Sequence, residues 1–137
     1  MNYYLDTCIW RDLYEGRNDN FRPLGEWAFQ LVKRIKENNE NIIYSEVIID
    51  ELLIYYTYEE IKKIFEDSKN DNILFKIVIN HQEKQEASVL SKNMNLPFMD
   101  CLHAVLAKDN GAILVTRDHH FEELQNYVDI KKPEDLL

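Results

Sequence analysis

Glycine and proline are scarce, three of each among 137 residues, and neither clusters into a linker. Without low-complexity runs or repeats, one compact domain spanning residues 1–137 is expected. Cysteine is scarcer still. Cys8 and Cys101 form neither a C-x-x-C pair nor a disulfide framework, which argues against a zinc ribbon and a disulfide-stapled scaffold and for free thiols in a reducing compartment. No stretch approaches the roughly 18 consecutive apolar residues of a membrane helix. MNYYLDTCIW also lacks the basic region and apolar run of a secretory signal, so a cytoplasmic location is expected. Positive charge is short as well: 16 Lys and Arg face 25 Asp and Glu, a formal net charge of -9. That balance argues against a protein that coats nucleic acid through a basic surface. A local site is another matter, because acids that converge on divalent cations invert the local sign.

What the sequence has is alternation. NYYLD (2–6), NIIYS (41–45), ILFKIVI (73–79), AILVT (112–116) and YVDI (127–130) are short β-prone runs. Between them lie helical patterns over about 7–15, 24–38, 46 onward, 59–68, 81–93 and 98–110, and a short one in 119–126, while 18–23 suits a loop and PEDLL a terminal turn. Ser45 and Asn80 are placed as N-caps, Pro97 suits a first helical turn, and Gly111 suits a helix end. Such alternation predicts an α/β fold, a mainly parallel sheet with helices on both faces.

Ligands of such folds bind beyond the carboxyl ends of the strands, where strand order reverses. Asp6 ends the first strand and Asp118 follows AILVT by one residue, so both are candidates for that rim as well as for helix caps. Glu51 shares a helical face with Val47, Ile48, Leu52 and Tyr55, whereas Asp50 lines up with polar Glu46 and Thr57. A carboxylate among apolar neighbours needs a cation, an ion-pair partner or a proton. Asp100 lies in the first turn of PFMDCLHAVLAK, where the helix dipole favours its ionised form, on one face with His103, Ala104 and Ala107. His103 is expected to be fixed by a hydrogen bond, with Asp100 one turn away as the nearest partner, and to support the site rather than ligate metal.

Convergence of four acids would raise the proton affinity of some of them unless a divalent cation offset their repulsion. Oxygen-only ligation suits Mg²⁺ or Mn²⁺ better than zinc, and the chemistry most at home there is metal-assisted phosphodiester hydrolysis. Arg11, Arg17, Arg22 and Arg117 are candidates for phosphate contacts, with Arg11 and Arg117 beside the proposed acids. The histidines of ILVTRDHHF (113–121) point in different directions on a short helix, so His119 and His120 are read as surface or rim residues. Cys8 and Cys101 are read as small buried residues, and the numerous tyrosines as core or subunit contacts.

L-D-T near the start, SEVIIDELL (45–53), MDCLHAVLA (99–107) and LVTRDHHF (114–121), in that order, resemble the PIN-domain ribonucleases, above all the VapC-type toxins of VapBC toxin–antitoxin pairs. The resemblance spans nearly the whole chain, although 16–41 matches no specific motif. It implies that Asp6, Glu51, Asp100 and Asp118 are the catalytic, metal-binding acids and that Thr7 and Thr116 orient them or a water. It further implies a three-layer α/β/α fold with a five-stranded parallel sheet, Mg²⁺- or Mn²⁺-dependent hydrolysis of RNA, a homodimer and an antitoxin partner. An RNA-processing PIN nuclease outside a toxin system is the nearest alternative. Phosphotransfer through an aspartyl-phosphate on Asp6 is disfavoured, since D-T-C-I-W lacks the second acid two residues on. A non-catalytic interaction module predicts no saturable Mn²⁺ binding dependent on Glu51 and Asp100.

Overall fold

The structure is a computed structural model that describes residues Met1 to Leu137. Strand β1 (Asn2–Leu5) buries Tyr4 and Leu5 completely, as a strand covered on both faces should. After it come α1 (Thr7–Glu15), α2 (Leu24–Glu37), β2 (Asn41–Tyr44), α3 (Glu46–Leu52), α4 (Tyr58–Asn70), β3 (Leu74–Lys76), α5 (His81–Met94), α6 (Phe98–Asp109), β4 (Ala112–Val115) and β5 (Ile130–Lys131). Two 3₁₀ turns, His119–Leu124 and Pro133–Leu136, flank β5. The five strands pair in parallel in the order β3-β2-β1-β4-β5. Right-handed crossovers then place α1 to α4 on one face and α5 and α6 on the other, a three-layer α/β/α arrangement. No helix is long and apolar enough to cross a membrane.

Strand order reverses at β1: the chain steps outward to β2 and β3, then returns to lay β4 along the other side of β1. The register pairs Tyr4 with Ile43 on one side and with Leu114 on the other, so β1 and β4 end level, at Leu5 and Val115. Their exits, carrying Asp6 and Thr116, form the switch-point crevice. Beneath it, one cluster of 32 buried hydrophobic residues fills the interior, with Trp10 of α1 packed edge-on against Phe65 of α4 at 4.7 Å.

Local signals set the element ends. Thr57 and Asn80 form capping boxes with Glu60 and Glu83, starting α4 and α5, and Gly111, at φ +59°, closes α6. Helices α1 and α2 meet where a Cβ on Gly25 would lie 2.6 Å from the Gly16 Cα and 2.7 Å from the Asp12 carbonyl oxygen. Both obstacles are backbone, so they cannot rotate away. Gly25→Ala is expected to destabilise the protein by about 2 kcal/mol, measured by urea unfolding; an unchanged midpoint would contradict this packing.

The observed elements depart from the sequence expectation in three places. Residues 73–79 do not form one long strand: β3 stops at Lys76 because β2 ends at Tyr44 and only one further bond, Ile77 N–H to the Tyr44 carbonyl at 2.8 Å, is made. Val78 accordingly lies exposed. The last strand is Ile130–Lys131 rather than 127–130, since the amides of Tyr127 and Val128 both bond the Leu124 carbonyl and close a turn. Helix α3 ends at Leu52, which leaves Tyr55 outside it and 53% exposed.

Candidate metal centre and active site

At the β1 exit Asp6 is buried and caps α1, accepting a hydrogen bond from the Thr7 amide at 2.8 Å. Its second oxygen accepts from the Thr116 hydroxyl at 2.7 Å, which ties the ends of β1 and β4 together. Thr116 in turn accepts from the Asp118 amide at 3.0 Å, and Asp118 caps the following 3₁₀ turn through the His120 amide, also at 3.0 Å. Both acids are therefore helix caps and rim residues at once.

Glu51 reaches the same place from α3. Val47, Ile48 and Leu52 are buried as the helical spacing predicts, and the Glu51 side chain stays 28% exposed. Its Oε1 accepts from the Thr7 hydroxyl at 2.8 Å and from His103 Nε2 at 2.7 Å. The other ring nitrogen, Nδ1, meets the Tyr4 hydroxyl at 2.7 Å, and that hydroxyl meets Ser45 Oγ at 2.7 Å. His103 is thus held by Glu51 and Tyr4, not by Asp100, because two other elements present polar groups to its ring. Burial opposes charge on both partners, but their contact outweighs it. Glu51 falls below the usual carboxylate range through His103 and Thr7, and His103 rises through Glu51 and the charges of Asp6 and Asp100. Ser45 does not cap α3 with its side chain, since its hydroxyl is taken by Tyr4. Tyr4→Phe strands Ser45 and His103 at once and is expected to cost about 2 kcal/mol of stability, read from denaturant unfolding against wild type.

Asp100, in the first turn of α6, has its carboxyl held above the ordinary range by burial and then by the negative charges of Asp118 and Asp6. His120 Nδ1 lies 3.3 Å from Asp100 Oδ2 and 3.4 Å from Asp118 Oδ1. The ionisable ligand atoms therefore gather in two sets, Asp6 with Glu51 and His103, and Asp100 with Asp118 and His120. One open cavity of about 340 Å³ brings the four acids together, lined also by Thr7, Arg11, Ile54 and Tyr55. Carboxylate oxygens that face one cavity and mutually raise the proton affinity of Asp100 fit a hard divalent cation.

The model of the PIN domain family matches residues 3–127. The chain belongs to the PIN-domain family. As a PIN fold it superposes on chains of solved toxin–antitoxin assemblies. A toxin–antitoxin complex from Klebsiella pneumoniae gives a TM-score of 0.68 at 16% identity, covering 96% of this chain and 97% of that one. VapBC2 from Rickettsia felis, bound to a promoter DNA fragment, gives 0.67 at 18% over 96% and 98%, and VapBC-1 from nontypeable Haemophilus influenzae 0.68 at 17% over 98% and 99%. No curated protein matches the sequence.

Within this PIN domain the two cations next to the acids differ. Arg117 lines the cavity, yet its guanidinium is bound in a fork to Glu134 at 2.8 and 2.9 Å and reaches Asp12 at 3.3 Å, with only 13% of the side chain exposed. Its charge is thus shared with Glu134 and Asp12 while it lines the cavity. Arg11 sits 3.6 Å over the ring of Tyr55 and pairs with Glu15 at 3.4 Å, leaving it beside the opening. Arg17 pairs with buried Asp12 and Arg22 with Asp19, and neither lines the cavity. Cys101 is fully buried, and the Cys8 thiol is pushed up by burial and the Asp6 charge, which suits packing rather than nucleophilic chemistry. His119 is a surface residue, its side chain 80% exposed, whereas His120 lies at the rim with its ring against Asp100 and Asp118. The sequence held one local hint of this: two residues after a capping acid, the chain turns back over that acid.

Proposed function

We propose that this PIN domain is a metal-dependent endoribonuclease, the toxin of a toxin–antitoxin pair. The observation that carries the reading is the meeting of Asp6, Glu51, Asp100 and Asp118 around one cavity at the sheet's switch point. Family membership and solved neighbours from toxin–antitoxin assemblies support it. Mg²⁺ or Mn²⁺ held by these acids would supply Lewis-acid stabilisation of the phosphate and a more acidic water.

The chain's own residues do the positioning. Thr116 and the Thr7 amide fix both oxygens of Asp6, and Thr7 and His103 fix Glu51, so the acids are oriented before substrate arrives. Arg11 supplies positive charge at the opening, and the exposed Tyr55 ring beneath it offers a face on which an unpaired base can stack. Cations bound by the four acids would reverse their local negative charge and so help admit phosphate, coupling substrate binding to metal binding. An antitoxin that covers the opening and a homodimer complete the proposal, in the cytoplasm where RNA substrates lie.

End-labelled single-stranded RNA incubated with the protein is expected to yield internal cleavage products in Mg²⁺ or Mn²⁺. EDTA should reduce the rate by roughly 10³-fold, since charge stabilisation of that size is lost with the cation, and excess Mn²⁺ should restore it. Undiminished cleavage in EDTA would overturn the metal-dependent reading.

A further inference from the structure

Three histidines approach the acids, and they are not equivalent: His119, 80% exposed, comes no nearer than 3.9 Å to Asp118 Oδ1. His103 is 1% exposed and both ring nitrogens are engaged, Nε2 by Glu51 and Nδ1 by Tyr4. No nitrogen lone pair remains for a cation. His120 stands at the outer side with its side chain 47% exposed, and Nδ1 faces two carboxylate oxygens from different elements, Asp100 of α6 and Asp118 after β4. Its amide hydrogen bond to Asp118 Oδ1 at 3.0 Å ties its backbone to the same acid that its ring approaches.

We propose that His120 Nδ1 is a direct metal ligand, completing with Asp100 and Asp118 a nitrogen-containing site that favours Mn²⁺, or another imidazole-binding divalent cation, over Mg²⁺. This rests on the metal-dependent reading above. Around an octahedral ion with metal–donor lengths of about 2.1 Å, neighbouring donors stand about 3 Å apart. The spacings of 3.3 and 3.4 Å from His120 Nδ1 exceed that by only a few tenths, and all three ligand atoms lie within 4.8 Å of one another, within reach of one cation. Mg²⁺ prefers oxygen donors and retained water, whereas imidazole suits first-row transition ions. The second half of the centre, Asp6 and Glu51, offers oxygen only, because its histidine is spent. The chain thus holds one oxygen-rich and one mixed-donor half within a single cavity.

Pulsed EPR on the full chain loaded with Mn²⁺ alone tests this. The wild-type spectrum is expected to show ¹⁴N modulation from a coordinated imidazole, absent in His120→Ala. Mn²⁺ affinity in that variant is expected to fall at least the roughly 10-fold that loss of a supporting metal-site contact costs, while Mg²⁺ affinity falls less. Because His120 is half exposed, circular dichroism should show the variant folded. Saturable Mn²⁺ binding without ¹⁴N modulation would overturn the proposal and leave His120 as a counter-ion of the two acids; so would modulation that persists in His120→Ala. Absence of saturable Mn²⁺ binding to the wild type would instead bring down the metal-dependent reading, and this inference with it.

Discussion

Asp6→Asn is expected to lower RNA cleavage on the order of 10³-fold, the scale set by removing one key electrostatic contact from a reacting phosphate or acyl group, with the fold intact. The substitution is mild for the backbone: Asn is as good an N-cap as Asp, so the Thr7 amide keeps its acceptor and α1 its start. Thr116 donates to the second carboxylate oxygen now and would accept from an amide nitrogen there. What disappears is the negative charge at the one buried acid of the four, held by Thr7 at the start of α1 and by Thr116 just beyond β4. Cleavage assays paired with thermal unfolding distinguish the two effects. Wild-type turnover in a folded Asp6→Asn protein would remove Asp6 from the chemistry.

Arg117→Ala is expected to destabilise the protein by about 3 kcal/mol, the lower end for breaking a buried charge pair. Asp12 is 1% exposed and shares its charge between Arg17, at 2.8 Å, and Arg117. Removal of Arg117 leaves Asp12 with one partner and Glu134 with none, although the forked pair anchors the last 3₁₀ turn to the β4 exit. Glu134 also carries a pH signature. Burial pushes its proton affinity up, but Arg117 outweighs this and holds it below the ordinary carboxylate value. A depressed native pKa means stability present above the unfolded value and lost as pH falls through the native one. Urea midpoints should therefore decline more steeply on acidification in wild type than in Arg117→Ala. Equal slopes would show the pair to be energetically idle.

The sheet was the most legible feature, because short β-prone runs separated by helical patterns leave few topologies open. Asp6 and Asp118 stood out by position at strand exits, and Glu51 by lying among apolar neighbours, features that one-dimensional spacing records. Partners were less legible. Spacing within α6 points His103 toward Asp100, yet the ring turns to Tyr4, 99 positions away, and Glu51, 52 positions away. Arg117 looked free beside Asp118 because its anchors, Asp12 and Glu134, are distant in sequence. His120 was hidden for a related reason: in a 3₁₀ turn the directions of adjacent side chains do not follow the helical period, and its other acid, Asp100, comes from a separate helix. The strands that ended early did so for want of paired backbone, which depends on the neighbour's length and not on the run's own composition.

The hydrogen bond from Thr116 to Asp6 joins residues 110 positions apart, and β4 is the only strand that pairs with β1 on that side. During synthesis β1, α3 and α6 emerge first, yet Asp6 lacks its second anchor and the rim lacks Asp118 and His120 until the chain has passed β4. Loop closure over such separations comes late in folding. A chain that has not yet formed β4 therefore carries an incomplete and unanchored centre, however well its earlier acids are placed.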